Sequence, residues 1–213
     1  MSPRIDQITA IADHIHNTRS PNKPLMVAIA GAPASGKSTL AAEVARRLND
    51  QKCETIVLPM DGFHLDNRQL EKRNLMQSKG APDTFDVAGL TRLVKALRAG
   101  EDVYFPSFDR SRDISIAGAI HVSADTPVTI IEGNYLMYDA PVWRDLVPFW
   151  DVSVRLDVPM PELRARLIHR WLSHNLSSTV ATQRAERNDI PNAQSVIDNT
   201  IPCDLNLTWS PQS

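Results

Sequence analysis

Apolar and polar positions along this chain follow two alternating patterns, and together they predict strands that alternate with helices. Four short apolar runs of the kind that form buried strands cover residues 25–30, 55–58, 128–131 and 152–156. Stripes of apolar residues three and four positions apart follow several of these runs and indicate amphipathic helices. This alternation is typical of an α/β fold in which helices cover both faces of a parallel sheet.

Weaker patterns fill the rest of the chain. A last strand is predicted at residues 204–208, which brings the parallel sheet to five strands, and an N-terminal helix is predicted within residues 1–22. Residues 65–85 are polar and lack a clear period, so we expect a loop region there. Residues 103–105 and 119–122 are weak strand candidates on either side of a charged stretch.

Length and charge restrict the class of protein. A chain of 213 residues suits a single α/β domain over residues 1–213. Its 23 Lys and Arg against 25 Asp and Glu give a net charge of -2, so we expect no nucleic-acid partner. The apolar runs are far shorter than the roughly 20 residues of a membrane span, and no signal sequence opens the chain. We therefore expect a cytoplasmic protein without a membrane partner, and a homodimer stays open.

A phosphate-binding loop is the strongest motif in the sequence. Residues 31–38 match the pattern G-x-x-x-x-G-K-S and lie between a predicted strand and a predicted helix. Such a loop turns successive N–H groups toward the β- and γ-phosphates, and the helix N-terminus adds partial positive charge. Lys37 adds a full charge, and the Ser38 hydroxyl can hold Mg²⁺. The predicted ATP-binding residues are Gly31, Ala32, Pro33, Ala34, Ser35, Gly36, Lys37, Ser38 and Thr39.

Two acidic residues follow predicted strands and suit the chemistry of a nucleotide site. Asp61 comes after the strand at residues 55–58, where a carboxylate can accept the proton of an attacking hydroxyl; capping of a turn is its alternative role. Glu132 closes the strand at residues 128–131, where Mg²⁺ is a natural partner for a buried charge. The Asn/Thr-Lys-x-Asp sequence of GTPases is missing from the C-terminal half, so ATP with Mg²⁺ is expected.

Four further segments occur in a fixed order between residues 24 and 207, and this order is more specific than any one of them. They are residues 60–64 (M-D-G-F-H), 74–86 (N-L-M-Q-S-K-G-A-P-D-T-F-D), 129–133 and 166–170. The series resembles the phosphoribulokinase/uridine kinase group of P-loop kinases, including bacterial type I pantothenate kinases. This resemblance implies a three-layer P-loop fold with a lid at about residues 160–192, and the proton-accepting role for Asp61.

Several arginines lie in the segment that the resemblance identifies as the lid. Arg164, Arg166 and Arg170 share a predicted helix, and the spacing of four places Arg166 and Arg170 on one face. An arginine delivered by a lid stabilises charge on the transferring phosphoryl group. The resemblance favours Arg170 for this catalytic role, with a solvated basic face as the alternative. Residues 188–192 are either an adenine-side loop or ordinary helix capping and turn chemistry.

The chain departs from the family pattern at the segment expected to contact the acceptor. Seven residues after Pro106, where uridine kinases have His and pantothenate kinases have Tyr, this sequence has Asp113. Charged groups suit a polyhydroxylated acceptor, because each sugar hydroxyl needs a partner once its water is removed. A charged surface loop is the alternative. The predicted substrate residues are His64, Asp109, Arg110, Arg112 and Asp113.

These inferences predict an ATP-dependent kinase that phosphorylates a hydroxyl of a small metabolite. A sugar is the favoured acceptor, as in members described as fructokinase-like, followed by pantothenate and then a pyrimidine nucleoside. The Asp113 carboxylate is expected to disfavour anionic acceptors. Two alternatives from other classes are an ATPase that acts as a regulatory switch and a kinase fold that only binds ATP.

Overall fold

Seven strands are present in the computed structural model, which describes residues 3–20 and 23–209. Five of them form one parallel sheet in the order β2-β5-β1-β6-β7, and β3 and β4 pair separately as an antiparallel hairpin. The predicted five-stranded parallel sheet is therefore confirmed. The strands are β1 (Leu25–Gly31), β2 (Thr55–Pro59), β3 (Val103–Asp109), β4 (Ile114–Val122), β5 (Val128–Gly133), β6 (Val152–Asp157) and β7 (Leu205–Thr208).

The interior of the sheet explains the uninterrupted apolar runs of the sequence. Every residue of β1 and of β5 is buried, because both are interior strands covered on both faces. Ile29 of β1 is aligned with Glu132 of β5 on one side and with Val154 of β6 on the other. The carboxyl ends of β1 and β5 therefore lie side by side, and whatever follows these two strands meets at one edge.

Seven α-helices surround the strands within the described residues. They are α1 (Pro3–Thr18), α2 (Lys37–Asp50), α3 (Asn67–Lys72), α4 (Val87–Arg98), α5 (Met160–Ser173), α6 (Ser178–Arg184) and α7 (Ile190–Asp198). The stripe of α2 is buried as its spacing predicts, with Leu40, Val44 and Leu48 in the core. Of the segment predicted as the N-terminal helix, residues 1, 2, 21 and 22 lie outside the described residues. Among the helices described, none has the length and apolarity to cross a bilayer.

Two segments differ from the sequence prediction. The predicted loop at residues 65–85 contains α3, which begins after Asp66, whose carboxylate accepts a hydrogen bond from the N–H of Arg68. This helix has six residues and buries only Leu70, so it leaves no periodic trace in the sequence. Strands β3 and β4 are longer than the weak candidates at residues 103–105 and 119–122, because a register shift after Phe105 interrupts their alternation.

The segment predicted as the lid, at about residues 160–192, is helical throughout most of its length. Helices α5 and α6 are followed by a π-helical turn at Ala185–Asp189, which leads directly into α7. The indole N–H of Trp171 donates to the Asp189 carboxylate at 2.5 Å, and the guanidinium of Arg184 lies 4.2 Å from the Trp171 ring centroid. These contacts pack the π-helical turn against α5.

Candidate active site

Three neighbouring strands deliver the predicted nucleotide-site residues to one edge of the sheet. Strand β1 leads into the phosphate loop at residues 31–38, β5 ends at Glu132 and Gly133, and β2 leads into a 3₁₀ turn that carries Asp61. These strands are adjacent in the order β2-β5-β1. Ligands of open α/β sheets bind outside the carboxyl ends of the strands, which is where this cluster lies.

The phosphate loop has a backbone that its sequence requires. A Cβ atom on Gly31 would lie 2.8 Å from the Ser35 hydroxyl and 2.9 Å from the Leu156 carbonyl oxygen, so only glycine fits there. Gly36 has a φ of +93° and caps α2, whose first residue is Lys37. The Ser35 hydroxyl is buried, and within the described residues it has no hydrogen-bond partner. The loop is therefore folded in a shape that presents the start of α2 to an anion.

Lys37 and Glu132 form the buried centre of this cluster. Their exposed fractions are 9% for Lys37 and 6% for Glu132. Burial raises the pKa of Glu132, the nearby Asp61 charge adds to this rise, and the Lys37 ammonium and the Ser38 hydroxyl oppose it. The Glu132 carboxylate thus lies among a lysine, a hydroxyl and a second carboxylate.

The same residues provide the oxygen ligands that Mg²⁺ prefers. The Ser38 hydroxyl and the Glu132 carboxylate are hard donors beside a phosphate-binding loop, so the donor set fits this metal. No group of three or more His, Cys, Asp or Glu residues capable of holding a metal occurs in the part of the chain that the structure describes. Such a sparse set suits Mg²⁺, which usually keeps several waters and takes further ligands from substrate phosphates.

Asp61 is paired with an arginine from the β3–β4 hairpin. The Nη2 of Arg110 donates to Asp61 Oδ2 at 2.6 Å, although Arg110 is 49 residues further along the chain. A Cβ atom on Gly62 would lie 2.4 Å from the Pro106 carbonyl oxygen, so glycine allows β3 to pack directly on the 3₁₀ turn. The hairpin therefore brings a predicted substrate residue to the predicted base.

His64 occupies an aromatic slot beside Asp61. Its ring centroid lies 4.1 Å from that of Phe85 and 4.6 Å from that of Phe108. Burial lowers the pKa of His64, and this effect exceeds the opposing influence of the Asp61 charge. Its Nδ1 lies 2.8 Å from the Asp61 carbonyl oxygen, which can only accept, so Nδ1 carries the proton. The neutral ring then offers Nε2 as an acceptor for a hydroxyl.

The other predicted substrate residues organise the turn of the hairpin. The Asp109 carboxylate accepts hydrogen bonds from the N–H and hydroxyl of Ser111 and from the N–H and Nε of Arg112. These bonds hold the pKa of Asp109 well below its usual range. Asp113 has a φ of +56°, and its carboxylate lies 2.8 Å from Lys79 Nζ. Three of the four hairpin charges thus have partners in the turn or beside it, and Arg110 pairs with Asp61.

The lid arginines take different places. Arg166 Nη1 donates to the carbonyl oxygens of Ala34 and Ser35 at 3.2 Å each, so it is in direct contact with the phosphate loop. Its guanidinium also lies 5.1 Å from the Trp209 ring centroid. Arg170, which the resemblance favours, is exposed, with its guanidinium 6.0 Å from the Trp171 ring centroid. Arg170 stays a prediction, and Arg166 joins it as a candidate.

Sequence reasoning did not identify three further residues at this site. Lys79 is 13% exposed and contacts Asp113, and Asn188 Nδ2 donates to the Lys79 carbonyl oxygen at 2.9 Å. Asn188 therefore contacts the main chain of Lys79, whereas the sequence left its segment open between an adenine-side loop and turn chemistry. The Oδ1 of Asn134 is buried and has no hydrogen-bond partner among the described residues. The sequence signal that could have identified Asn134 is its position directly after Glu132 and Gly133, which end a predicted strand.

Comparison with known proteins links this arrangement to kinases. The model of the Phosphoribulokinase / Uridine kinase family matches residues 26–190. A crystal structure from Silicibacter sp. TM1040, provisionally described as a fructose transport system kinase, is 50% identical with a TM-score of 0.90, covering 95% of this chain and 98% of that one. An uncharacterized Escherichia coli (strain K12) protein is 36% identical, covering 88% of this chain and 79% of its own length. A Schizosaccharomyces pombe protein provisionally described as a uridine kinase is 34% identical, with coverages of 86% and 82%.

Proposed function

The chain belongs to the phosphoribulokinase/uridine kinase family, and from this premise we propose that its acceptor is the hydroxyl of a neutral sugar such as fructose. As a member of this family it is an ATP-dependent P-loop kinase that acts on a small molecule. The observation that carries the proposal is the contact between Asp61 and Arg110 at 2.6 Å. This contact brings the charged hairpin beside the proposed base, which supports an acceptor site between the two.

The proposed reaction is an in-line transfer of the γ-phosphoryl group. The acceptor oxygen forms a bond to the γ-phosphorus, the bond from that phosphorus to the β–γ bridging oxygen breaks, and ADP leaves. Asp61 accepts the proton of the attacking hydroxyl. Lys37 and the N–H groups of the phosphate loop stabilise the charge that develops on the phosphoryl oxygens. Ser38 and Glu132 would hold Mg²⁺, which neutralises phosphate charge when it is bound.

The charges at the acceptor side support a neutral acceptor. Each cation there is matched by a carboxylate: Arg110 by Asp61, Arg112 by Asp109, and Lys79 by Asp113. An anionic acceptor such as pantothenate would have to separate one of these pairs and leave a carboxylate without its partner. A sugar hydroxyl both donates and accepts, so it can add to the polar groups without breaking them.

Pairing of the acceptor-side charges is a different reason to expect a neutral acceptor from the one that the sequence suggested. The sequence suggested that the Asp113 carboxylate repels anions, but Lys79 Nζ lies 2.8 Å from that carboxylate and offsets its charge. We propose that the preference for a neutral acceptor comes instead from the three ion pairs, which leave each of these cations with a carboxylate partner. Two acceptor atoms can serve hydroxyl groups: Asn134 Oδ1, which has no hydrogen-bond partner among the described residues, and Nε2 of the neutral His64 ring. The description of the Silicibacter protein, which is 50% identical, as a fructose transport system kinase supports the same class of acceptor.

An acceptor panel tests this proposal. ADP release is measured with ATP and Mg²⁺ in the presence of D-fructose, other neutral sugars, pantothenate or uridine. We expect a neutral sugar to give a kcat/KM at least about tenfold above pantothenate and uridine, because a lost or unpaired polar contact costs about 1–3 kcal/mol. A tenfold advantage of pantothenate or uridine over every sugar would overturn the proposal.

A pair of arginine variants tests the observation behind it. Arg110→Met should raise the KM for the sugar while leaving the KM for ATP within about twofold, because it removes only the acceptor-side contact. Arg46→Met is the matched control, since Arg46 pairs with Asp50 in the last turn of α2, at the end opposite the phosphate loop. Equal KM values for the sugar in the two variants would count against the assigned position of the acceptor.

A further inference from the structure

We propose that Lys79 is a positioning residue that fixes the turn of the β3–β4 hairpin and thereby holds Arg110 against Asp61. The inference rests on the proposed function, because it concerns how the acceptor side is built. Lys79 and Asp113 lie 34 residues apart in the sequence, and the Asp113 carboxylate is three residues from Arg110 within the same turn. A contact that fixes Asp113 therefore also restricts where Arg110 can reach.

All three hydrogen-bond donors of the Lys79 ammonium have partners within the protein. Its Nζ lies 2.7 Å from Asn67 Oδ1, 2.8 Å from Asp113 Oδ2 and 2.9 Å from the Asp113 carbonyl oxygen. An ammonium has three donors, and these three contacts occupy them. The group also lies 5.3 Å from the Phe108 ring centroid, and the side chain is only 13% exposed. We call Lys79, Asn67 and Asp113 the Lys79 clamp.

The main chain beneath the clamp is held from two further directions. Asn188 in the π-helical turn donates to the Lys79 carbonyl oxygen at 2.9 Å, and the Tyr135 hydroxyl donates to the Gly80 carbonyl oxygen at 2.7 Å. Tyr135 is completely buried. Lys79 is therefore anchored at its backbone to the lid segment and to the chain after β5, while its side chain reaches the hairpin. Such an anchored side chain is suited to setting the position of another element.

The hairpin needs such support. The base of the hairpin is anchored in the core, where Phe105 is fully buried, but residues 110–113 of its turn are exposed and Asp113 adopts a left-handed conformation that costs an L-residue backbone energy. Arg110 is 58% exposed, and an exposed ion pair contributes between 0 and about 1 kcal/mol. The contact between Arg110 and Asp61 is consequently too weak to hold the turn in place. In the Lys79 clamp Asp113 is also exposed, at 52%, but Lys79 is only 13% exposed and its ammonium makes three contacts to two residues, so the clamp is the stronger restraint.

Because its donors are occupied, Lys79 acts through Arg110 and not on the acceptor directly. This assigns Asp113 a different role from the acceptor contact that the sequence suggested. In the clamp, Asp113 matters as the partner of Lys79. If Asp113 acts only as the partner of Lys79, a variant that replaces both residues should lose no more than the Lys79 variant alone. If Asp113 contacts the acceptor separately, the two effects should add.

Hydrogen–deuterium exchange tests the clamp without any knowledge of the acceptor. In Lys79→Met, the amides of residues 110–116 should exchange about tenfold faster than in the native protein, because the turn loses its charged hydrogen bonds. Asp113→Asn should have a smaller effect in the same amides, since asparagine keeps the left-handed turn but loses the charge. The double variant should match Lys79→Met. Lys72→Met, at an exposed lysine in α3, is the control and should exchange like the native protein.

Native exchange rates in Lys79→Met would overturn the proposal. Additive effects of Lys79→Met and Asp113→Asn would also overturn it, because they would mean that the two residues act separately. If Lys79→Met does not fold, Asp113→Asn and Asn67→Ala break the clamp from its other two members. In that case, unchanged exchange in both variants is the result that contradicts the clamp.

Kinetics then separate positioning from a general structural effect. Lys79→Met should raise the KM for D-fructose by about tenfold and leave the KM for ATP within about twofold, and Lys79→Arg should restore most of the loss. An equal rise in the KM for ATP, or no rescue by arginine, would contradict the positioning role. If the native enzyme does not phosphorylate D-fructose or another neutral sugar, the proposed function fails, and the exchange experiment still decides the fate of the clamp.

Discussion

The two ends of the proposed active site are built in different ways. The nucleotide end, which comprises residues 31–38 and Glu132, is formed by the main chain of one continuous loop and the end of a neighbouring strand. The acceptor end comprises Asp61, His64, Lys79 and the hairpin turn at residues 109–113. Its shape depends on side-chain contacts such as those of Arg110 with Asp61 and of Lys79 with Asp113.

This difference determines how each end responds to a change in sequence. In the phosphate loop, Gly31 and Gly36 have backbone positions that other residues cannot easily adopt, so the shape is specified locally. At the acceptor end, Asp113 and Arg110 depend on partners that lie 34 and 49 residues away. Chemistry at the nucleotide end is therefore expected to be fixed, and recognition at the acceptor end is expected to change with few substitutions.

The largest effect is expected at the nucleotide end. Lys37→Ala should reduce kcat/KM by at least about 10²-fold, since loss of a group that stabilises transition-state charge typically costs about 3–4 kcal/mol. The fold should persist, because α2 keeps its buried stripe. Activity is measured as acceptor-dependent ADP release, with circular dichroism to confirm folding. Lys95→Ala, at an exposed position of α4, is the control, and a folded Lys37→Ala protein with full activity would contradict the site.

The second prediction concerns Asp61, the acceptor-end residue whose charge also acts on Glu132 at the nucleotide end. Asp61→Asn keeps the shape of the side chain but cannot accept the proton, so kcat should fall by about 10²-fold or more. ATP affinity should stay within about threefold, because Lys37 and the loop N–H groups remain. Isothermal titration with a nonhydrolysable ATP analogue measures that affinity. An unchanged kcat would remove Asp61 from the proton transfer, and lost ATP binding would place it at the nucleotide end alone.

The sequence predicts the nucleotide end well because its signals are local. The phosphate loop matches its motif over eight consecutive residues, 31–38. The buried strands β1 and β5 appear as uninterrupted apolar runs. The five-stranded sheet follows from the same runs. Helix α3 was missed, because six residues with a single buried side chain carry no period. The length of the β3–β4 hairpin was also missed, because its register shifts after Phe105.

The acceptor end could be predicted only as a set of residues and not as an arrangement. The sequence placed Arg110 and Asp113 in one charged segment. It did not predict that Arg110 pairs with Asp61 or that Asp113 pairs with Lys79. Pairings over tens of residues depend on how the hairpin packs on the 3₁₀ turn at Met60–Phe63. A single sequence contains no signal for such pairings, so Arg110 and Asp113 were both predicted as substrate residues, with a charged surface loop as the alternative.

The third prediction concerns the arginine that connects the lid to the nucleotide end. Arg166 donates to the carbonyl oxygens of Ala34 and Ser35, so Arg166→Ala should raise the KM for ATP by about tenfold, as expected for lost hydrogen bonds to a charged group. Arg170→Ala should have a smaller effect on this KM. Arg164→Ala is the control on the same helix, where Arg164 pairs with Glu186. A larger rise in the KM for ATP in Arg170→Ala than in Arg166→Ala would favour Arg170 as the lid arginine that contacts the phosphates.

The smallest effect is a pH dependence that arises at the acceptor end. Burial lowers the pKa of His64 below its ordinary value of 6.5, so the folded protein favours the neutral ring. Below pH 6.5 the unfolded chain binds a proton that the folded chain resists, and the free energy of unfolding should therefore fall as the pH drops from about 7 to 5. Each unit of difference between the two pKa values corresponds to about 1.4 kcal/mol.

Urea unfolding at several pH values measures this dependence. His64→Gln should flatten the decline between pH 7 and about pH 5, because glutamine has no proton to gain over this range. His169→Gln, at an exposed position of α5, is the matched control and should retain the native slope. The same neutral ring is proposed to accept a sugar hydroxyl at Nε2, so the KM for D-fructose should rise only at lower pH, where the folded ring itself gains a proton. Identical pH slopes for the native protein and His64→Gln would mean that folding leaves the pKa of His64 unshifted, which would contradict its burial in a site that favours the neutral ring.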